Sequence, residues 1–300
     1  MHLPHQPHRG AIHSEQARIL DHQAFPGDQH ILRVQAPRCA EHAQPGQFAH
    51  LECGPELALR RPLSILRAEP ETGWVEFLYK AVGHGTRALA WRTTGETLGL
   101  LGPIGVPFRL DADRPRPLLI GGGVGIPPMV FTADHSRRFH PDKQPLVLMG
   151  SEVPFPFPVE PAHRPAPGIK ANGAMPLLTS WGVDSRLASL QGYTGAFKGY
   201  VTDLARQWLD APSSMGGMGG MGGPQHDQVQ ILACGPHPML AAVAALAREY
   251  DLPCQVSLEE FMACAVGGCA GCTVEVRTLE GSAMKRVCVD GPVFEARQVF

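Results

Sequence analysis

The stretch EFMACAVGGCAGCTVEVRTLEGSAMKRVCVDGPVF, residues 260–294, contains four cysteines whose spacing is the strongest signal in the chain. Cys264, Cys269 and Cys272 follow the pattern C-x4-C-x2-C, and Cys288 comes after fifteen intervening residues. This is the ligand spacing of a plant-type [2Fe–2S] cluster. No residue between the first three cysteines is larger than Val, so backbone N–H groups of such a loop can approach a cluster closely. The spacing therefore predicts a [2Fe–2S] site.

Two other uses of four cysteines fit the pattern less well. Structural zinc sites usually arrange their cysteines as two C-x2-4-C pairs, whereas this chain has a triplet and one distant Cys. Disulfides are typical of secreted proteins, and the first residues, MHLPHQPHRGAIHSEQ, lack the apolar core of a signal peptide. The eight scattered and clustered cysteines together fit a reducing cytoplasm, which is the predicted location.

Composition excludes several function classes. A formal net charge of −2 gives no electrostatic basis for binding nucleic acid, and no apolar stretch is long enough to span a membrane. At 300 residues the chain has room for two or three domains. We expect residues 1–13, which are polar and rich in His, to form a disordered tail.

The predicted architecture is multi-domain, with a β section followed by an α/β section. Residues 14–112 read as short strands separated by Gly and Pro, which predicts an antiparallel β-barrel. In residues 113–254 strands alternate with helices, which predicts a parallel sheet. Residues 255–300 form a small cysteine domain. The Pro-rich stretch 154–168 predicts an extended loop, and the MGG repeats predict a flexible insert over 211–227.

A glycine-rich turn, GGGVGIPP at residues 121–128, follows the first strand of the α/β section. Such a turn places backbone N–H groups where they can bind a pyrophosphate, but the sequence lacks a full G-x-G-x-x-G and also fits an ordinary tight turn. A second turn, ACGP at 233–236, ends a later strand at the same sheet edge, where ligands of open α/β sheets bind. Cys234 either faces a bound ring or is a small buried residue.

Two motifs in the barrel section are candidates for binding phosphate. The first is RRPLSI, 60–65, in which the Arg61 guanidinium can pair with a phosphate through two hydrogen bonds. The second is YKAVGHGT, 79–86, in which Gly85 and Thr86 bring a backbone N–H and a hydroxyl close. A salt bridge of Arg61 and an ordinary hairpin turn are the structural alternatives.

These motifs occur together and in one order: R-P-L-S, L-Y-K, G-x-G-T, G-G-G-V-G-I-P-P, A-C-G-P and C-x4-C-x2-C…C-x-D-G-P-V-F. From about Ser14 to Phe300 the chain resembles the electron-transfer subunits of B-type dihydroorotate dehydrogenase, in the ferredoxin–NADP reductase superfamily. The resemblance implies a barrel that binds FAD, an α/β domain that binds NAD and a C-terminal [2Fe–2S] domain. The implied FAD contacts are Arg61, Pro62, Leu63, Ser64, Leu78, Tyr79, Lys80, Gly85 and Thr86. The implied NAD pocket is framed by Gly121, Gly122, Gly123, Gly125, Cys234, Gly235 and Pro236.

The family also implies an activity and a partner. NADH would give a hydride to FAD, and electrons would pass singly through the cluster to FMN in a separate catalytic subunit that acts in pyrimidine biosynthesis, within a heterotetramer. No catalytic acid or base is expected, because the cofactors carry the chemistry. The main alternative is the reductase subunit of another complex, such as a hydrogenase or a sulfur-reducing system. A non-enzymatic iron–sulfur sensor would not need the flavin motifs.

The chain departs from the family pattern in three places. Ala265 stands where the family usually has Gly directly after the first cluster cysteine, which is expected to strain the loop slightly. The segment 179–199 lacks the usual acidic pair and carries Arg186 and Lys198, which could meet a 2′-phosphate. The Pro-rich and MGG stretches are not family features and are expected to alter a partner surface.

Overall fold

The computed structural model describes residues 10–212 and 222–300. They form two compact units. One contains the residues up to Pro107 together with Ser257–Phe294 and Val299, so that the cysteine segment belongs to the same unit as the N-terminal barrel. The other contains Phe108–Val256 with Glu295–Gln298 and Phe300. No helix among the described residues is both long and apolar enough to cross a membrane.

The predicted antiparallel barrel is confirmed. Its strands are β1 (His13–Phe25), β2 (Gln29–Gln35), β3 (Phe48–Leu51), β4 (Arg61–Glu69), β5 (Trp74–Lys80) and β6 (Thr97–Ile104), closed in the order β1-β2-β5-β4-β3-β6. The first strand begins at His13, inside the range predicted for the tail; residues 1–9 lie outside the described residues. Two short helices, α1 (Pro37–His42) and α2 (His84–Ala90), lie between the strands.

Alternating apolar side chains build the core of this barrel. Ile19, Leu32, Ile65, Phe77 and Leu100, on different strands, are all fully buried. Complete burial of one such side chain contributes about 1.5–3 kcal/mol relative to exposure, so these positions hold the strands in register. The register places Leu51 opposite Arg61 and His50 opposite Pro62, which fixes the start of β4 beside the end of β3.

The predicted parallel sheet with helices is confirmed as well. Its elements in chain order are β7 (Arg116–Gly122), α3 (Ile126–Phe139), β8 (Leu146–Gly150), β9 (Glu160–Pro161), β10 (Gly173–Ala174), α4 (Pro176–Ser180), β11 (Asp184–Ala188), α5 (Val201–Leu209), β12 (Val229–Cys234), α6 (His237–Glu249) and β13 (Cys254–Ser257). The strands β11, β8, β7 and β12 are neighbours and parallel. Their carboxyl ends therefore meet at one edge and their amino ends at the other.

The two unusual stretches differ in how they fold. The Pro-rich stretch 154–168 is mostly irregular, as expected, but it contains β9, which pairs antiparallel with β10, and the buried side chain of Phe155. Of the MGG insert, residues 213–221 lie outside the described residues. The residues that flank them are tied down, since the Gly223 N–H donates to the Pro212 carbonyl over 2.7 Å.

The cysteine segment folds as an irregular loop followed by a hairpin. The hairpin consists of β14 (Thr273–Thr278) and β15 (Gly281–Arg286), after which come α7 (Val287–Asp290), β16 (Val293–Glu295) and α8 (Ala296–Val299). The Val106 N–H donates to the Gly291 carbonyl over 2.6 Å, which ties the end of the cysteine segment to the residues that follow β6.

Candidate functional site

The hairpin returns the fourth cysteine to the triplet. The Val287 N–H donates to the Cys272 carbonyl over 2.9 Å, and this bond closes the hairpin and starts α7. As a result Cys288, the second residue of α7, has its Sγ 3.4 Å from Cys272 Sγ. Both thiols are buried. The long interval between the third and fourth cysteines is therefore the length of one antiparallel hairpin.

The other two cysteines form a second pair. The Cys269 N–H points at Cys264 Sγ over 3.4 Å, and the Gly271 N–H points at Cys269 Sγ over 3.4 Å. Burial raises the pKa of the Cys264 thiol, but N–H groups of the loop, including that of Cys269, outweigh this effect and lower the pKa to about 6. Those N–H groups stabilise a thiolate, which is the form that ligates iron.

Burial raises the pKa of the Cys288 thiol to about 12, and the hydrogen bond with Cys272 adds to the effect.

Among the described residues, no group of three or more His, Cys, Asp or Glu side chains converges on a point that suits a single metal ion. The sulfurs instead form the pairs Cys264–Cys269 and Cys272–Cys288. Two pairs of cysteine sulfurs suit the two iron atoms of a [2Fe–2S] cluster better than the single tetrahedral centre of a zinc site.

Ala265, the residue that departs from the family pattern, has a left-handed backbone with φ of +57°. Gly267 in the same loop also has positive φ, and a Cβ on it would lie 2.5 Å from Val289. The left-handed region costs an L-residue about 1–2 kcal/mol and costs Gly almost nothing. The preference for Gly after the first cysteine is thus explained by the turn that the backbone makes there.

We expect Ala265→Gly to slow the loss of iron from the loop to a chelator severalfold, because it relieves about 1 kcal/mol of backbone strain. Ala283→Gly is the matched control, since Ala283 lies in β15 outside the positive-φ residues and gains nothing from glycine. The measurement is the decay of the cluster's visible absorbance under a fixed excess of chelator. Equal decay rates for wild type and Ala265→Gly would show that the strain does not limit cluster retention.

The barrel brings Arg61 and Gly85 together. The G-x-G-T motif starts the helix α2 instead of forming a hairpin turn, and a Cβ on Gly85 would lie 2.6 Å from Arg61 Nε. Arg61 Nη1 donates to the carbonyls of Leu59 (2.7 Å) and Arg60 (3.1 Å). Within the described residues Arg61 has no carboxylate at ion-pair distance, so the salt-bridge alternative is not observed and most of its donors remain for a ligand.

The remaining barrel residues of the predicted site play different parts. Thr86 Oγ1 accepts the Gly83 N–H over 3.1 Å and so caps α2. Tyr79 is buried, its hydroxyl lies 2.9 Å from His22 Nε2, and burial raises its pKa. The side chains of Leu63 and Leu78 are also buried, whereas those of Pro62, Ser64 and Lys80 are partly exposed. Any contact of the buried residues with a cofactor would therefore involve mainly their backbone.

Two polar atoms beside Arg61 were not anticipated from the sequence. His50 is only 2% exposed and Arg60 is half-buried, yet His50 Nε2 and Arg60 Nε are buried atoms that have no hydrogen-bond partner in the described part of the chain. Burial lowers the pKa of His50 to about 4, and this effect outweighs the backbone groups of Met262 and Arg60, which favour the charged imidazolium. Polar atoms buried without partners are rare in proteins without ligands, so this region fits a bound polar group such as FAD. The only sequence signal is the position of His50 in the strand before RRPLSI.

The two glycine-containing turns of the α/β unit also meet. Cys234 pairs with Gly121 in the sheet, and a Cβ on Gly125 would lie 2.2 Å from the Cys234 carbonyl. A Cβ on Gly235 would lie 3.1 Å from the Gly122 nitrogen, but the Met239 side chain is closer, 2.5 Å from a Cβ on Gly122 and 2.6 Å from one on Gly235. Backbone packing between the turns thus accounts for Gly125, and the Met239 side chain accounts for Gly122 and Gly235. Gly123 differs, because it has φ of +56° and faces open space.

The rest of this turn follows the sequence closely. Pro127 and Pro128 lie in the first turn of α3, where no backbone N–H is needed, as predicted. Cys234 is fully buried. Arg186, a candidate for a 2′-phosphate, lies inside β11 with a buried side chain whose Nη1 donates to the Ser185 carbonyl over 2.6 Å. The two turns therefore lie at the carboxyl edge of the sheet, whereas the Arg186 side chain is buried beside its own strand, where it donates to a backbone carbonyl.

Comparisons with known proteins agree with this geometry. Residues 259–300 match the model of the iron–sulfur cluster binding domain of dihydroorotate dehydrogenase B. The dihydroorotate dehydrogenase B (NAD(+)) electron transfer subunit of Caldanaerobacter subterraneus is 30% identical, over 94% of this chain and 97% of the relative. That of Bacillus caldolyticus is 34% identical, over 86% and 88% of the two chains.

Among solved structures, a chain of an NADH-dependent reduced ferredoxin-NADP oxidoreductase superposes with a TM-score of 0.74 at 23% identity. It covers 95% of this chain and is itself covered to 90%, so the likeness extends over the whole fold. A ferredoxin reductase of carbazole 1,9a-dioxygenase superposes over 81% of this chain and 67% of that chain, with a TM-score of 0.59 at 21% identity. The chain belongs to the family of electron transfer subunits of dihydroorotate dehydrogenase B (NAD(+)).

Proposed function

We propose that this protein passes electrons between NAD(H) and the catalytic subunit of a dihydroorotate dehydrogenase, using FAD and a [2Fe–2S] cluster. The observation that carries the proposal is the assembly of Cys264, Cys269, Cys272 and Cys288 into two pairs within the same compact unit as the flavin barrel. Its relatives of matching length bear the name of this subunit. When bound, FAD exchanges a hydride with NAD(H) and single electrons with the cluster, which carries one electron at a time.

The chain's own residues bind and orient these groups. Arg61 provides a guanidinium fork for the FAD pyrophosphate, and Gly85 leaves room for it. The cysteine pairs hold the cluster, while the loop N–H groups stabilise negative charge on the sulfurs. The Gly121–Gly125 and Cys234–Pro236 turns present backbone to NAD, and Gly123 in particular faces open space. No residue is required as a catalytic acid or base, because hydride transfer needs none.

We further propose that the partner is an FMN-containing catalytic subunit and that the two chains form a heterotetramer in the cytoplasm. Large apolar side chains on the cysteine segment support the docking of a partner there: Phe261 is 94% exposed, and Val266, Leu279 and Met284 are exposed as well. Exposed apolar side chains beside a functional group mark interaction surfaces. An acceptor that docks here would lie close to Cys269, the most exposed of the four cysteines.

The test of this proposal is binding to the catalytic chain. We expect the native protein to copurify with a dihydroorotate dehydrogenase chain and to reduce NAD+ with dihydroorotate. Phe261→Ser should weaken the complex about tenfold or more, as loss of a buried aromatic anchor does. Phe139→Ser is the matched control, because Phe139 is 66% exposed at the end of α3 in the other unit.

Isothermal titration of the FAD- and cluster-loaded protein with the catalytic chain gives the two affinities. Copurification with a hydrogenase or a sulfur-reducing chain instead would contradict the proposed partner. It would not contradict the proposed electron transfer between NAD(H), FAD and the cluster. If Phe261→Ser and Phe139→Ser bind equally well, the catalytic chain docks elsewhere.

A further inference from the structure

A second cavity lies at the opposite edge of the parallel sheet from the glycine turns. It has a volume of about 490 Å³. Its lining includes Arg116, Leu146 and Asp184, which are the first residues of β7, β8 and β11. The strands are parallel, so the cavity lies at their amino ends, whereas the Gly121–Gly125 turn follows the carboxyl end of β7. It is therefore separate from the NAD pocket proposed above.

Among the described residues, the lining of the cavity includes four cations and one carboxylate. Arg137 pairs with Asp134, Lys143 with Asp142, and Arg164 with the lining residue Asp184. The fourth cation is Arg116. The three paired cations are at least partly neutralised, so the excess positive charge of the lining is concentrated on Arg116.

Arg116 has no carboxylate at ion-pair distance among the described residues. Its Nη1 donates to the Gly223 carbonyl over 3.2 Å, and its guanidinium lies 5.3 Å from the ring centroid of Trp208. The Gly223 carbonyl accepts from one of the five N–H donors of the guanidinium. The Trp208 ring restrains the guanidinium plane without accepting a hydrogen bond from the other four. A fixed fork with unused donors is suited to bind a phosphate through two parallel hydrogen bonds.

A second guanidinium nearby, that of Arg186, has no carboxylate at ion-pair distance among the described residues, although the charge of Asp184 acts on it. Arg186 is 2% exposed, its Nη2 donates to the Arg164 carbonyl, and its Nε is buried with no partner among residues 10–212 and 222–300. It lines a smaller cavity of about 270 Å³, which shares Arg164, Gly182, Val183 and Asp184 with the larger one. Arg186 shares Asp184 with Arg164, so an anion in this pair of cavities would offset part of the cost of burying its charge.

Most of the remaining lining residues are apolar, although Gln144 is also among them. The apolar residues include Pro145, Leu146, Pro165, Pro167, Val183 and Trp181. Pro165 and Pro167 come from the Pro-rich stretch, which the redox function does not use. The volume lies within the range of about 300–1,000 Å³ that is usual for small-molecule sites, which also combine an apolar lining with a few fixed polar groups.

We propose that this cavity binds a small organic phosphate, with Arg116 holding the phosphate and the proline-lined wall holding an apolar or ring-shaped body. The site would act as a ligand site independent of the NAD pocket. Inorganic phosphate would contact only the positively charged part of the cavity and leave the proline-lined wall without a ligand group. The ligand class is therefore a phosphate ester.

The test is calorimetric titration of the FAD- and cluster-loaded protein, kept saturated with NAD+ so that the dinucleotide pocket is filled. The probes are adenosine 5′-monophosphate, phenyl phosphate and inorganic phosphate. We expect the two esters to bind with submillimolar Kd and inorganic phosphate about tenfold more weakly, a difference of about 1.4 kcal/mol. Absence of binding by both esters at millimolar concentration overturns the proposal. If inorganic phosphate binds as tightly as the esters, the proline-lined wall does not bind the body of the ligand, and that part of the proposal is wrong.

Arg116→Gln should weaken binding of both esters at least tenfold. Arg18→Gln is the control, since Arg18 is an exposed arginine on β1 in the other unit. Arg116→Lys, which retains the charge but lacks the planar fork, serves as a second variant in case Arg116→Gln misfolds, with circular dichroism as the check. Wild-type affinity in a folded Arg116→Gln protein, or in Arg116→Lys where the first variant misfolds, contradicts the assignment.

Discussion

Cys272→Ser is expected to stop electron delivery to the catalytic subunit while NADH oxidation by a dye that accepts electrons from FAD continues. Cys272 Sγ is buried 3.4 Å from Cys288 Sγ, so the substitution removes one of the two thiolates of that pair. The backbone bond from Val287 to the Cys272 carbonyl does not depend on the side chain, so the hairpin is expected to persist. The barrel strands do not depend on the cluster for their core.

The measurement compares two rates on protein with equal FAD content, namely dye reduction by NADH and reduction of the catalytic subunit by NADH. Cys39→Ser is the matched control, because Cys39 is buried in α1 of the barrel and should affect neither rate. The flavin content must be held constant, since loss of FAD would abolish both activities. If the variant contains no cluster and still reduces the catalytic subunit at the wild-type rate, the cluster is structural and the proposed electron path is wrong.

The elements of the fold were predictable where local sequence alone decides them. The strand alternation around Ile19 and Phe77 specifies barrel strands, and Pro127 and Pro128 specify the first turn of a helix. The cysteine spacing specifies a loop and a returning segment. In each case the signal lies within about one element, where steric rules and hydrophobic periodicity act directly.

The unpredicted features depend on contacts distant in sequence. Within the described ranges, His50 Nε2 has no hydrogen-bond partner and Arg61 has no carboxylate at ion-pair distance. Both depend on the β3–β4 register, which no local sequence pattern fixes. Likewise the G-x-G-T motif, compatible with a hairpin turn, starts a helix because Thr86 bonds back to Gly83. Gly125 is small because Cys234, more than one hundred residues away, passes next to it. Such constraints become visible only when the strands are paired.

Arg61→Ala is expected to weaken FAD binding by about 1.5–3 kcal/mol, a rise in Kd of roughly ten- to more than a hundredfold, because a charge-assisted phosphate contact is lost. Arg61→Lys should recover part of the affinity, since lysine retains the charge but lacks the planar fork. The measurement is titration of the apoprotein with FAD, followed by flavin fluorescence. Arg18→Ala, an exposed arginine on the same barrel, is the control and should bind FAD like the wild type.

Arg61 also donates to the carbonyls of Leu59 and Arg60, so a weaker affinity could arise from a disturbed loop before β4. The thermal midpoint of the apoproteins separates the two causes, because a lost phosphate contact leaves the apoprotein unchanged whereas a disturbed loop lowers its midpoint. Weaker FAD affinity of Arg61→Ala at an unchanged apoprotein midpoint, with partial recovery of affinity in Arg61→Lys, therefore identifies the phosphate contact. Full FAD affinity in Arg61→Ala would show that the pyrophosphate is bound elsewhere in the barrel, with Arg60 and its unpartnered Nε as the next residue to replace.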